Sequence, residues 1–339
     1  MKELTDENGH AIPNSISEKL WIDVDNTKLG LIIKSVNPEN PILLLLGGGP
    51  GIPENLLEIY SPSNLEKYFT VCYINYRGTG LSFDKNLKKE DLTSETYFND
   101  CIIVVNYLRQ RFNKEKIYLM GHSFGTYMGL NIVYSHPELF MAYIGMSMIT
   151  DQSLSEQYSY QYMCKTYKEL GNDKKLKELE KYSTVFETNK GIDFNDPLTL
   201  EYFNNYRDKD MHELGVGTTR TMKSVITGIF FRSFLMSEFS LMERINIWRA
   251  KIFTNGAPVI SDAFNFNAFE TVKELKIPFY VFAGKYDYTT VYDLQRKYFD
   301  KVKAPEKNFY TFENSAHSPL FEENEKAINI ILKDIFKKN

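Results

Sequence analysis

The chain has 339 residues, 43% of them hydrophobic, which is enough for one large domain or two ordinary ones. Its 40 basic and 44 acidic residues are interspersed and give a net charge of −4, which argues against a nucleic-acid partner. The three cysteines lack the spacing of metal ligands, which predicts no metal site and a reducing compartment. The N-terminus is polar and no long apolar run follows. Together these features predict a cytoplasmic protein with no membrane partner. The sequence leaves the oligomeric state open.

The first 150 residues alternate between predicted strands and helices. The wholly apolar stretch Ile42–Leu46 is typical of a strand buried on both faces. The other segments with strand character are 19–24, 29–36, 71–76, 116–120 and 143–148. Helices are predicted over 93–112 and in the segment that follows residue 123, with a stop at Pro137.

The alternation stops near residue 150 and resumes near residue 277. Between these points the chain is rich in Tyr, Glu, Lys and Met and is predicted to be mainly helical. Strands are predicted at 277–284 and 308–312, with helices from Thr289 and from about Phe321. We therefore expect an α/β fold with a mostly parallel central sheet and helices on both faces. The predicted division is a core over 1–150 and 266–339, with a helical cap inserted at 151–265.

The stretch GHSFG at residues 121–125 follows a predicted strand and precedes a predicted helix. This is the setting in which a G-x-S-x-G motif forms a nucleophile elbow. The turn is so sharp that Cβ atoms at positions 121 and 125 would collide with the backbone, so both positions need glycine. Ser123 would then expose its hydroxyl group at the start of the helix. The sequence predicts Ser123 as a nucleophile.

A serine nucleophile needs a base, and the base needs an orienting acid. Of the five histidines, His317 lies in a loop after a late strand, where this architecture places a base. Asp287 directly follows the strand before it, whereas Asp293 and Asp300 fall within or after the next helix. The chain order Ser123, Asp287, His317 is that of α/β-hydrolases.

Five motifs in order, GGGPG (47–51), NYRGTGLS (75–82), GHSFG (121–125), GKYD (284–287) and SAHS (315–318), resemble those of the prolyl aminopeptidase (proline iminopeptidase) group of α/β-hydrolases. The resemblance covers most of the chain from about Ser17, apart from the cap interior. It implies the α/β-hydrolase fold, a Ser-His-Asp triad with an acyl-enzyme intermediate, and the release of N-terminal residues from small peptides or amides.

Three positions depart from the pattern of that group. Gly47 replaces the first residue of HGGPG, and Asn75 replaces the Asp of D-x-R-G. Some members carry a Glu after the triad Asp, where it helps to hold the free amine of the substrate, and this chain has Tyr288 there. A neutral phenol cannot pair with an ammonium group as a carboxylate does.

The glycine cluster LGGGPG matches neither a dinucleotide fingerprint nor a P-loop, because Ile52 and Glu54 replace required glycines and no G-K-[ST] follows. It is therefore interpreted as an oxyanion loop, in which the N–H of Gly49, with that of Phe124, would receive the developing negative charge. Loss of one such donor typically raises the activation free energy by about 3 kcal/mol. No organic cofactor is implied.

The substrate is a small molecule or short peptide, and two classes stay open. A peptide or amide needs carboxylates for its ammonium group, for which Glu238, Glu243 and Asp262 are candidates. A carboxylic ester or lactone needs an apolar pocket, for which the candidates are Phe230, Phe231, Phe234, Phe239 and Trp248. Gly48 and Tyr288 complete the candidate substrate contacts. A non-catalytic ligand binder on the same scaffold is a further alternative.

Overall fold

The computed structural model describes residues 1–186 and 191–336. In this part of the chain, eight strands form one sheet in the order β1-β2-β4-β3-β5-β6-β7-β8. The strands are β1 Ile16–Val24, β2 Thr27–Ser35, β3 Ile42–Leu46, β4 Thr70–Ile74, β5 Ile117–His122, β6 Phe140–Met146, β7 Phe279–Gly284 and β8 Lys307–Phe312. The antiparallel hairpin β1–β2 joins β4 antiparallel, and every other pairing is parallel.

Helices cover both faces of the sheet and fill the connection between β6 and β7. They are α1 Ser94–Arg111, α2 Phe124–Ser135, α3 Gln152–Glu169, α4 Asp173–Glu180, α5 Pro197–Tyr202, α6 Asp208–Glu213, α7 Phe231–Ser233, α8 Leu241–Thr254, α9 Pro258–Phe264, α10 Ala268–Thr271, α11 Tyr292–Lys301, α12 Pro319–Glu322 and α13 Asn324–Ile330. Turns of π-helix lie at 203–207, 226–230 and 331–335.

Strand β3 shows why the sheet is buried on both faces. Its side chains alternate between the faces, as strand geometry requires. Leu44 and Leu46 pack into a cluster that includes residues of α1 and α2, whereas Leu43 and Leu45 pack into a second cluster with the C-terminal helical segment. All five residues of β3 are buried, which confirms the expectation from its apolar sequence.

The segment between β6 and β7 forms the predicted helical insertion. It carries a cluster of its own, in which Tyr160, Met163, Tyr167 and Tyr202 pack together. The predicted fold class is confirmed. The division at residues 150 and 265 stays a prediction, and its last two ranges include residues 187–190 and 337–339, which lie outside the described residues. Among the described helices, none is long and apolar enough to cross a membrane.

Most element bounds shift by only a few residues from the predicted ones. The helix predicted from Thr289 begins instead at Tyr292. The reason is local, because the Asp287 carboxylate accepts the backbone N–H groups of Thr289 and Thr290 at 2.9 and 3.0 Å. These contacts hold the loop after β7 in a non-helical turn.

Candidate active site

Ser123 occupies a sharp turn between β5 and α2. Its φ of 53° and ψ of −119° place a non-glycine residue in a sparsely populated backbone region, which is common at functional sites. A Cβ atom at Gly125 would lie 1.9 Å from the Leu46 carbonyl oxygen, and one at Gly121 would lie 2.4 Å from the Gly125 carbonyl oxygen. Only glycines therefore permit this turn beside β3.

His317 and Asp287 lie together in the loops after β8 and β7. The His317 Nδ1 atom is 3.0 Å from Asp287 Oδ2 and 3.1 Å from Oδ1. Asp287 is 1% exposed and also accepts hydrogen bonds from Thr290 and Gln295. These hydrogen bonds thus hold the Asp287 carboxylate beside the imidazole ring.

Two opposing effects act on the Asp287 carboxyl group. Burial favours its neutral form, but the nearby His317 and the hydrogen bonds from Thr290 outweigh burial and hold the pKa of Asp287 below its usual value. The carboxylate is therefore ionised at neutral pH and can orient the imidazole ring.

The loop that holds His317 is fixed by a second carboxylate, Glu322. It accepts the backbone N–H groups of Ala316 at 2.9 Å and of Ser318 at 3.3 Å, and that of Arg220 from the cap at 2.6 Å. Burial raises the pKa of Glu322 to about 7, against the effect of these donors. Glu322 thus ties the histidine loop to the cap.

The glycine loop after β3 reaches the same place as the serine turn. Strands β3 and β5 are parallel neighbours, with Leu46 opposite Gly121, so their carboxyl ends meet at one edge of the sheet. A Cβ atom at Gly48 would lie 3.2 Å from the Cβ atom of Ser123. The backbone at Gly48 therefore lies close to Ser123, with little room for a side chain between them.

The N–H groups of Gly49 and Phe124 are the candidate oxyanion donors. Both residues line the same cleft as Ser123. Within residues 1–186 and 191–336, neither N–H has a hydrogen-bond acceptor. Gly48 differs, because its N–H donates to Glu54 Oε2 at 3.1 Å.

A cleft of about 940 Å³ lies between the sheet edge and the cap. Ser123, Phe124, Gly49 and His317 form part of its wall, together with Thr289 and Thr290. The cap supplies an apolar side made of Ile192, Phe194, Leu200, Phe203, Met211 and Phe264. The volume and the mixed apolar and polar lining are typical of a site for a small molecule.

The cap side of the cleft also carries a cluster of charged side chains around Arg207. Arg207 bonds to the fully buried Glu156 through Nε at 2.7 Å and Nη2 at 2.5 Å, and to Asp208 through Nη1 at 2.6 Å. Gln152 donates to the same Glu156 at 2.7 Å. Glu156 is therefore fully engaged, whereas Asp208 keeps a side chain that is 56% exposed in the cleft wall.

Several predicted substrate residues lie elsewhere. Glu238 pairs with Lys34 of β2 and Glu243 with Lys19 of β1, each at 2.7 Å, and neither carboxylate lines the cleft in the described part of the chain. These lysines neutralise the two carboxylates, so we withdraw both from the candidate site. They instead attach the α7–α8 region to the edge of the sheet.

Tyr288 and Asp262 are also outside the described cleft wall. Tyr288 stacks on Tyr162 of the cap with ring centroids 3.8 Å apart, and Asp262 accepts a hydrogen bond from Ser94 of α1. Tyr288 therefore serves the packing between cap and core.

The predicted apolar pocket is formed by different aromatic residues. Phe230 packs on Phe231, Phe234 and Trp248, while Phe239 is buried in a core cluster. None of these five residues lines the described part of the cleft. Aromatic composition alone could not distinguish the two groups, because which side faces the cleft depends on how the cap helices pack.

Sequence analysis missed several residues that support the site. Thr290 could have been found, because it lies only three positions after Asp287 and carries a hydroxyl group that can donate to the carboxylate. Glu54 carries no local signal, since its contact with His122 joins residues 68 positions apart. The contact of Gln295 with Asp287 depends on how helix α11 packs against the loop after β7.

Replacing Gly284 with alanine tests how closely the histidine loop is packed. A Cβ atom at position 284 would lie 1.8 Å from the Ala316 carbonyl oxygen and 2.7 Å from that of Ser315. We expect Gly284→Ala to lower the free energy of unfolding by about 2–3 kcal/mol, because backbone must move to admit the methyl group. Urea unfolding measures this change, and an unaltered midpoint would contradict it.

Comparison with known proteins agrees with this geometry. The family model described as alpha/beta hydrolase fold matches residues 41–324. The chain belongs to the α/β-hydrolase fold family. As a member of this family it is a hydrolase, and the fold and enzyme class predicted from the sequence are confirmed.

Two curated relatives of this α/β-hydrolase carry aminopeptidase names. A probable aminopeptidase YbaC of Bacillus subtilis (strain 168) is 30% identical over 91% of this chain and 93% of its own length. A proline iminopeptidase of Saccharolobus solfataricus is 23% identical over 87% of this chain and 85% of its own length. The predicted resemblance to this group is confirmed.

A solved structure of a proline iminopeptidase from Mycobacterium smegmatis has the same fold. It superimposes with a TM-score of 0.61 over 93% of this α/β-hydrolase and 96% of its own chain, at 13% identity. At this identity the likeness concerns the fold alone.

Proposed function

We propose that this α/β-hydrolase is a serine hydrolase with Ser123 as nucleophile, His317 as general base and Asp287 as the orienting acid. The observation that carries the proposal is the convergence of three features on one cleft. They are the strained turn at Ser123, the hydrogen-bonded pair His317–Asp287, and the N–H groups of Gly49 and Phe124, which have no acceptor in the described part of the chain.

The reaction proceeds by acyl transfer. Ser123 Oγ attacks the substrate carbonyl carbon while its proton passes to His317, and the carbonyl oxygen becomes an oxyanion that accepts hydrogen bonds from Gly49 and Phe124. The intermediate collapses as His317 gives the proton to the leaving amine or alcohol, which departs. Water, deprotonated by His317, then attacks the acyl-enzyme and releases the acid and free Ser123.

For the substrate, we propose a short peptide or amide with a free N-terminus. The similarity to the probable aminopeptidase YbaC over nearly the whole chain supports this choice. In the described part of the cleft wall the carboxylates are Asp193 and Asp208, and Asp208 is paired with Arg207 at 2.6 Å. We therefore propose Asp193 for the ammonium group, in the role first expected of Glu238 and Glu243.

A small ester or lactone is the second candidate, favoured by the aromatic side of the cleft. Phe194, Phe203 and Phe264 contact each other with ring centroids 4.9–5.5 Å apart and line the cleft together. Such a surface suits an uncharged acyl group or leaving group.

A matched substrate panel separates these candidates. Prolyl and alanyl p-nitroanilides are compared with their N-acetylated forms and with acetyl and butyryl p-nitrophenyl esters. An aminopeptidase is expected to turn over the free-amine anilides and to lose this activity on N-acetylation. Turnover of esters alone, with no gain from a free amine, would exclude the aminopeptidase and leave the esterase.

Covalent labelling separates both enzymes from a non-catalytic binder. A fluorophosphonate reacts with a serine only if a base activates the hydroxyl and donors stabilise the negative charge. We expect one label per chain, on Ser123. Unlabelled protein of native fold would refute the serine hydrolase.

A further inference from the structure

Two buried ionisable side chains, Glu54 and His122, lie directly behind the candidate site and have no part in the proposed reaction. They are 5% and 4% exposed. The Nδ1 atom of His122 is 2.7 Å from Glu54 Oε1, and its Nε2 atom is 2.7 Å from the backbone carbonyl oxygen of His317. His122 thus connects a loop near the start of the chain to the loop that holds His317.

The hydrogen-bond roles of the ring follow from its partners. A carbonyl oxygen can only accept, so Nε2 must donate to His317. The contact with the carboxylate then requires one further proton, carried by Nδ1 or by Glu54. Burial lowers the pKa of His122, but the Glu54 carboxylate more than offsets burial and raises it overall, which favours the protonated ring.

The other oxygen of Glu54 holds the oxyanion loop. Glu54 Oε2 accepts the N–H of Gly48, the residue directly before the candidate donor Gly49. The preceding carbonyl group, that of Gly47, accepts a hydrogen bond from Tyr76 at 3.0 Å. Both polar groups of the peptide unit between Gly47 and Gly48 are therefore held by hydrogen bonds.

The same side chain explains the glycine at position 47. A Cβ atom at Gly47 would lie 2.9 Å from the Cβ atom of Glu54 and 3.1 Å from its Oε2 atom. Glu54 thus fills the space into which a side chain at position 47 would extend. The missing side chain at position 47 does not leave this loop unsupported.

We propose that Glu54 and His122 act as positioning residues, a hydrogen-bonded brace that holds the oxyanion loop in register with the histidine loop. The proposal rests on the proposed serine hydrolase activity. The brace links Gly48, beside one oxyanion donor, to the backbone of His317, the proposed base. Because catalysis is sensitive to displacements of about 1 Å, loss of the brace would slow the chemical step more than it weakens substrate binding.

Glu58 provides a matched control for Glu54. It belongs to the same 3₁₀ segment, Glu54–Ile59, and its carboxylate accepts hydrogen bonds from Ser63 and Tyr73 at 2.6–2.7 Å. It does not line the described part of the cleft. A substitution there removes buried hydrogen bonds of the same kind without touching the brace.

The test compares Glu54→Met, Glu54→Gln and Glu58→Met with the parent enzyme. Methionine has a length and an unbranched shape similar to those of glutamate, and it removes the hydrogen bonds. Glutamine can still accept from Gly48 and can donate to Nδ1 of a neutral His122 whose Nε2–H remains bonded to His317. The measurements are kcat and KM on the best substrate of the panel, normalised to the folded fraction from near-UV circular dichroism.

We expect Glu54→Met to lower kcat about 30-fold or more with KM within about threefold, because misplacement by about 1 Å costs about a hundredfold. Glu54→Gln is expected to recover most of the loss, and Glu58→Met to retain the parent kcat per folded molecule. A parent kcat in Glu54→Met, an effect on KM alone, or an equal loss in Glu58→Met would overturn the brace. Failure of fluorophosphonate to label Ser123 in the parent enzyme would instead overturn the serine hydrolase.

Discussion

Ser123→Ala is expected to lower kcat by a factor on the order of 10⁴–10⁶, the largest effect of any substitution in this chain. The variant keeps the turn and the oxyanion donors but has no hydroxyl to form the acyl-enzyme. The measurement is steady-state turnover of the best substrate, with fluorophosphonate labelling in parallel. Labelling is expected to disappear with the hydroxyl group.

The control is Ser135→Ala, at the opposite end of the same helix, α2, where the side chain is exposed. It is expected to retain the parent activity. If Ser123→Ala kept more than a tenth of the parent kcat, Ser123 would not be the nucleophile.

Asp287→Asn is expected to lower kcat by about 10⁴-fold while the fold is retained. The Oδ1 atom accepts the N–H groups of Thr289 and Thr290, so the amide oxygen of asparagine is expected to take its place. The amide NH₂ group would then face His317 Nδ1, which lies 3.0 Å from Oδ2. This arrangement selects the tautomer with a proton on Nε2, which cannot accept the proton of Ser123.

Asp293→Asn serves as the control for this substitution. Asp293 is an exposed residue in the first turn of α11, six positions further along the chain. We expect it to leave kcat unchanged. Equal activity of Asp287→Asn and Asp293→Asn at pH 7 would remove Asp287 from the proposed mechanism.

The features that the sequence predicts well are those encoded locally. The apolar run of β3 predicts a strand buried on both faces, because each of its five residues needs an apolar neighbour. The glycines of GHSFG predict the turn at Ser123, because only the lack of Cβ atoms allows the backbone to pass Leu46. The strand-end positions of Asp287 and His317 predict that they meet, since parallel strands end at the same edge.

The features that the sequence does not predict depend on distant partners. In the sequence, Glu238 and Glu243 resemble free carboxylates of the cap. In the structure they pair with Lys34 and Lys19, which lie on strands more than 200 positions away. The importance of Glu54 is hidden for the same reason, because its partner His122 lies 68 positions further along the chain. The aromatic residues that face the cleft likewise depend on cap packing.

The separation of the site along the chain has a consequence for folding. The bond between the His122 ring and the His317 carbonyl joins residues 195 positions apart, and it forms only when β8, the last strand and an edge strand, has taken its place. Contacts at such long range form slowly, because the intervening chain must first be ordered. We expect recovery of activity during refolding to be the last signal to appear, after circular dichroism reports the helices. In such a refolding experiment, turnover would report completed assembly of the sheet.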